Sequence, residues 1–154
     1  MEISLKKATI QDCSQIHQMQ TLGFKALLDK YQDFETNPGA ESLERIKWRF
    51  KFSQIDHYFI QLQGESIGYI RINMLDEKTC RLSQMFILPS FQNKGYAQQA
   101  IKQVEDLNPQ AENWILDTIK QEEKLCHLYE KMGYCLTGVK NNIKGGMDLV
   151  GYAK

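Results

Sequence analysis

The stretch LPSFQNKGYAQQAIKQVEDL, Leu88 to Leu107, decides how the rest of the chain is read. It leaves an apolar strand, crosses a polar turn and enters a helix whose inward stripe is Ala97, Ala100, Ile101, Val104 and Leu107. Steps of three and four are the helical period. Asn108-Pro109 closes the helix, because the residue before proline avoids the α region. The start of the helix lacks what such starts usually carry, an Asp or Glu that complements the positive dipole end. No carboxylate lies between Glu77 and Glu105, whereas Lys78, Arg81, Lys94 and Lys102 all do. The first-turn amides around Gly95 are therefore expected to serve an external anion.

Working outward, the chain reads as strand, helices, strands, helix, strand, helix, strands. Ile3 to Ala8 is a strand, and Thr9 with Asp12 imitates a capping box ahead of one helix burying Ile16, Met19, Gly23, Leu27 and Tyr31. Asn37-Pro38-Gly39 breaks the chain before a second helix over about Ala40 to Phe52. From His57 the period changes to two, and turns at Gly64-Glu65 and Asp76-Glu77-Lys78 give a three-stranded meander ending at Leu88. A strand at Asn113 to Ile119 is apolar on both faces and follows a crossover helix, which suits a central strand. A helix over Gln121 to Met132 ends at Gly133. Strands at Tyr134 to Val139 and Met147 to Tyr152 close the chain, with Asn141-Asn142 and Gly145-Gly146 as a flexible connection. The expected fold is one α/β domain over residues 1–154, a mixed and mostly antiparallel sheet with about four helices.

Composition narrows the function. Nineteen basic and nineteen acidic residues cancel, which argues against a nucleic-acid partner needing a basic excess. No apolar run approaches a membrane span and the N-terminus has no secretory h-region. Cys13, Cys80, Cys126 and Cys135 form no C-x-x-C pair, so free thiols in a reducing cytoplasm are expected. No zinc-site spacing occurs, and no metal is expected. The P-loop and dinucleotide patterns are both absent.

What is present is Gln92-Asn93-Lys94-Gly95-Tyr96-Ala97 between strand and helix, preceded by Ile87-Leu88-Pro89. About thirty residues later comes Leu128-Tyr129-Glu130-Lys131-Met132-Gly133-Tyr134. Together they resemble the pyrophosphate loop and the Y-x-K-x-G-F/Y segment of the GNAT superfamily of N-acyltransferases. The order of elements over the whole chain is similar too. The resemblance implies an N-acetyltransferase moving an acetyl group from acetyl-CoA to a small-molecule or peptide amine in a ternary complex. It implies that Gln92, Asn93, Lys94, Gly95, Tyr96 and Ala97 hold the pyrophosphate, and that the strand at Phe86 and Ile87 pairs with the pantetheine arm. Relatives of this kind are often dimers. The alternative is a non-catalytic coenzyme-A-binding module of the same fold.

By the same resemblance Tyr129 is the proton or hydrogen-bond donor to the departing thiolate, since a thiol near pKa 8.5 needs only a weak acid. The general base is open. Many relatives place a glutamate on the strand before the loop, where this chain has Ser83 and Gln84. Asp117, Glu35, Asp33 and His57 are the other candidates. A lysine amine loses about 4.6 kcal/mol in reaching its neutral form at pH 7, and an α-amine only about 1.4 kcal/mol. Asp33, Glu35 and Asp117 are also the candidate acceptor contacts, the acidic Tyr31 to Glu41 segment favouring a cationic amine. Glu122 stands where many relatives carry an asparagine that touches the cofactor, and that contact is not carried over.

Overall fold

The computed structural model describes residues 1–154. Seven strands form one sheet in the order β1-β2-β3-β4-β5-β7-β6: β1 Ser4–Lys7, β2 Ile55–Leu62, β3 Glu65–Met74, β4 Thr79–Ile87, β5 Asn113–Ile119, β6 Cys135–Lys144 and β7 Met147–Ala153. Every neighbouring pair is antiparallel except β4 and β5. Helices α1 Cys13–Gly23, α2 Lys25–Tyr31 and α3 Leu43–Arg49 cover one face, and α4 Tyr96–Asp106 and α5 Glu123–Lys131 cover the other.

Two apolar clusters follow from this layering. Ile60, Ile70, Ile72, Ile101, Val104, Leu116 and Tyr129 pack under α4 and α5. Ile16, Ile46, Phe59, Tyr69 and Phe86 pack under α1 and α3. The inward stripe expected in the opening stretch is present, with Ala100, Ile101 and Val104 fully buried. Leu107 is the exception: it lies past the last turn and is exposed.

Three expectations need correction. The first helix is two, because the chain turns out of helical geometry at Phe24; Leu27 and Tyr31 continue the apolar spacing on α2 and so hide the break. The helix expected from Ala40 starts later, at Leu43, where the Ser42 side chain accepts the Arg45 amide. With the split at Phe24 the α-helices number five, and the expected single α/β domain with a mixed, mostly antiparallel sheet is what forms. Asn141-Asn142 is no loop: β6 runs through it, paired to Leu149 and Asp148, and only Gly145-Gly146 turns the hairpin.

Two irregularities in the sheet prepare the site. The β4–β5 pairing is confined to Thr79–Arg81 against Asn113–Ile115, although β4 runs on to Ile87 and β5 to Ile119. Beyond Arg81 the strands part, so one backbone edge of β4 has no partner. Across from β3, Arg71 pairs with Gln84 and Ile72 with Leu82, leaving Ser83 as a bulged extra residue. A bulge resets the alternation of side chains. Cys80 and Leu82 therefore face α4, whereas Gln84 and Phe86 face α1.

Candidate active site

The anion cradle is the best-formed part of the site. Asn93 (φ 63°) and Gly95 (φ 82°) both lie in the left-handed region, which folds the loop back on the start of α4. At Gly95 that conformation favours glycine, and a Cβ there would otherwise meet open space. The Gln92 amide donates back to the Pro89 carbonyl, and the next amide to be used is that of Gln99, bonded to Gly95. The six intervening N–H groups, Asn93 to Gln98, donate to nothing in the chain. No acid lies in the first turn of α4. Lys94 is exposed and forms no ion pair, so its charge adds to that of the amides.

The other loop residues support this shape. The Gln92 side chain donates to the Ile87 carbonyl at 2.8 Å, tying the loop to the end of β4. Tyr96 is buried in the core and Ala97 packs against it. Phe86 lies edge-on to Phe24 at 5.4 Å and Ile87 is buried on the opposite face, so both side chains are core and only backbone faces the parted strands. Such an unpaired edge can accept an extended, amide-bearing chain as an added strand.

Tyr129 sits on α5 among Tyr134 and Tyr152, with ring centroids at 6.1 and 6.4 Å. The three differ in one respect. Tyr134 donates to Glu105 and Tyr152 to Glu130, each at 2.7 Å, while the Tyr129 hydroxyl has no partner and is not sealed from solvent. Burial, with a smaller contribution from Cys126, pushes its pKa well above the ordinary 10. It therefore keeps its proton at neutral pH and suits hydrogen-bond donation better than full proton release.

A family model for the acetyltransferase (GNAT) family matches residues 24–134. The chain belongs to this family. No curated protein matches it by sequence. Among solved structures, the spermidine N-acetyltransferase of Vibrio cholerae, in complex with CoA and spermine, is similar at TM-score 0.79 and 19% identity, over 99% of this chain and 95% of that one. An acetyltransferase of Thermus thermophilus gives 0.77 and 16%, over 100% and 97%. A ribosomal L7/L12 α-N-protein acetyltransferase in complex with coenzyme A gives 0.76 and 18%, over 100% and 94%. At these identities the likeness is one of fold. No helix is long and apolar enough to cross a membrane.

Most of the acidic residues expected at a GNAT acceptor site are engaged elsewhere. Asp33 is buried and bonded within its own turn to Thr36. Asp117 pairs with Arg81 at 3.1 Å. Glu35 alone is exposed and without an ion pair. Glu41 is gripped by Arg49 and by Gln20, the latter at 3.0 Å. Ser83 donates to Asn73 at 3.1 Å and Gln84 donates to Gln20 at 2.9 Å, and neither a hydroxyl nor an amide takes up a proton at neutral pH, so neither position of the usual base carries one.

Glu122, just ahead of α5, receives Lys30 Nζ at 2.6 Å and Tyr31 Oη at 2.5 Å. Partial burial alone would raise its pKa, but these two bonds outweigh that and hold it low. The carboxylate thus ties α2 to α5 across the parted strands. The sequence marked Glu122 as a departure but not its partners, which lie some ninety positions away.

His57 is stacked on Phe50 at 3.8 Å and its Nδ1 lies 2.5 Å from the Tyr69 hydroxyl. Burial first, then Arg71, Arg49 and Lys7, lower its pKa from 6.5 to about 4. It is neutral at pH 7 and too weak a base for an ammonium. It should instead report on stability. Above pH 6.5 neither folded nor unfolded His57 is charged; from 6.5 down to about 4 only the unfolded form takes up a proton. Acid therefore removes roughly 2–3 kcal/mol of stability across that window. Urea unfolding at pH 7 and 4.5 measures it, and His57→Phe should flatten the difference.

Proposed function

We propose that the protein is an acetyl-CoA-dependent N-acetyltransferase acting on a primary amine by direct attack. The observation that supports this most is the run of six free amides at an acid-free helix start, beside a β4 edge with no strand partner. A doubly anionic pyrophosphate fits the first and an extended amide chain fits the second. The residues fit coenzyme A, which supplies an acetyl thioester already activated towards nitrogen nucleophiles.

The chain's own part is positioning and proton handling. The loop Gln92–Ala97 holds the phosphates, and the β4 edge near Phe86 sets the depth of the thioester relative to the bulge at Ser83. As the amine nitrogen bonds to the carbonyl carbon the C–S bond would break; Tyr129 would donate a hydrogen bond to the departing thiolate and keep its own proton, and the thiolate would take a proton from water to end as a thiol. The nitrogen gives up one proton. With a hydroxyl at Ser83 and an amide at Gln84, neither of them a base at neutral pH, that proton would leave to water, which favours an acceptor of low pKa such as an α-amine.

The test is thiol release from acetyl-CoA across a panel of amines, alongside thermal shift with coenzyme A. Acceptor-dependent release supports the enzyme. Release from no amine, with coenzyme A still raising Tm, leaves the non-catalytic coenzyme-A-binding module. No thermal shift at all removes the cradle's assignment.

A further inference from the structure

A pocket of about 400 Å³ lies on the α1–α3 face, between α3 and the far half of β3. Its walls carry Arg45 and Arg49 from α3, Arg71 and Asn73 from β3, and the aromatic rings of Trp48 and Phe52, with no carboxylate among its lining residues. The arginines are not equivalent. Arg49 is committed to Glu41. Arg45 stacks over Trp48 at 5.0 Å and has no acid partner. Arg71 has a buried Nε with no hydrogen-bond partner at all. A buried guanidinium N–H left unpaired costs about 1–3 kcal/mol, and a planar carboxylate is the group that pairs two such N–H groups at once.

The pocket adjoins the place where chemistry is proposed. Asn73 on its wall accepts the Ser83 hydroxyl at 3.1 Å, and Ser83 is the bulged residue just beyond the last β4–β5 pair. Coenzyme A is assigned to the side of α4, so the amine approaches from the side of α1–α3. The local field there is positive, since Arg71 and Arg49 both help to depress the pKa of His57. Of the acids that suggested a cationic acceptor, Asp33 is bonded within its own turn, and Glu41, paired to Arg49, offsets only part of that field at Arg71, where Arg49 weighs more.

We infer that this pocket binds a carboxylate carried by the amine acceptor, with Arg71 and Arg45 as its partners and Trp48 and Phe52 against an apolar portion. The acceptor class is then an amino acid or an acidic peptide, not a polyamine. The inference rests on the acetyltransferase reading, and its test separates the two.

Initial rates with acetyl-CoA are measured for phenylalanine, phenylalaninamide, phenethylamine and spermidine. A carboxylate that pairs with buried arginine should give the acid a kcat/KM, expressed per neutral amine, about 10–100-fold above that of its amide. Arg45→Ala, at an exposed position, should erase most of that advantage through KM, and Arg45→Lys should restore part of it. An acidic dipeptide assayed beside phenylalanine separates a peptide acceptor from a free amino acid. Preference for the amide or for spermidine, or an advantage unchanged in Arg45→Ala, overturns the pocket while the enzyme stands. If no acceptor releases thiol, thermal shift with phenylalanine in the presence of coenzyme A decides. A shift lost in Arg45→Ala keeps the pocket and removes the enzyme; no shift in the parent protein removes the pocket.

Discussion

Tyr129→Phe is expected to lower acetyl transfer by about 10²–10⁴-fold in kcat, the usual contribution of a positioned acid. The substitution removes only the hydroxyl, and the ring packing against Tyr134 and Tyr152 is kept. Because that hydroxyl has no partner in the chain, stability should change by less than about 0.5 kcal/mol. Affinity for coenzyme A, read by calorimetry, should also hold. Tyr134→Phe and Tyr152→Phe make the contrast, since each forfeits a 2.7 Å bond to a glutamate and should cost stability first. If Tyr129→Phe keeps kcat within about threefold, the residue is packing and nothing more.

Gly68→Ala should be the most damaging single methyl in the sheet. Gly68 is buried on β3 opposite Ile87, and a Cβ there would stand 2.4 Å from the Phe86 carbonyl oxygen and 3.0 Å from Ile87 Cδ1. Backbone cannot step aside as a flexible side chain can, so β4 must move. Overpacking of this kind costs about 1–3 kcal/mol, and more where backbone is the obstacle. The same methyl at Gly145 meets nothing within 4 Å and should be nearly neutral. On the proposed function, coenzyme A should bind Gly68→Ala more weakly even in its folded fraction, because the displaced residues carry the free edge to which the pantetheine arm is assigned. Thermal melts with and without coenzyme A read both effects; a melt matching that of Gly145→Ala would refute the steric argument.

The meander and the crossover were legible because alternation and turn residues agreed there; the turn expected at Gly64-Glu65 falls one residue earlier, at Gln63-Gly64, where two successive positive φ values close the β2–β3 hairpin. The cradle was legible for a related reason: the missing acid before α4 and the glycine at its cap are both local facts. What hid from the sequence was non-local. Phe24 interrupts a stripe whose spacing never falters. The bulge at Ser83 leaves no mark in β4, since either register puts apolar residues on both faces. Arg45 and Arg49 were not singled out in the sequence, and Arg71 joins them from a strand more than twenty residues away. Nor does the sequence say which carboxylates of the Tyr31 to Glu41 segment are already bonded, as Asp33 is to Thr36 and Glu41 to Arg49.

The parted strands carry one last consequence. The sheet is two plates, β1 to β4 and β5 to β7, riveted at one end by three residue pairs and strapped at the other by Glu122 to Lys30 and Tyr31. A ligand wedged between them bears on both plates, so part of its binding energy becomes stiffness of the whole molecule. Compliance at that seam, more than the shape of either plate, then sets how far the two plates can part around whatever lies between them.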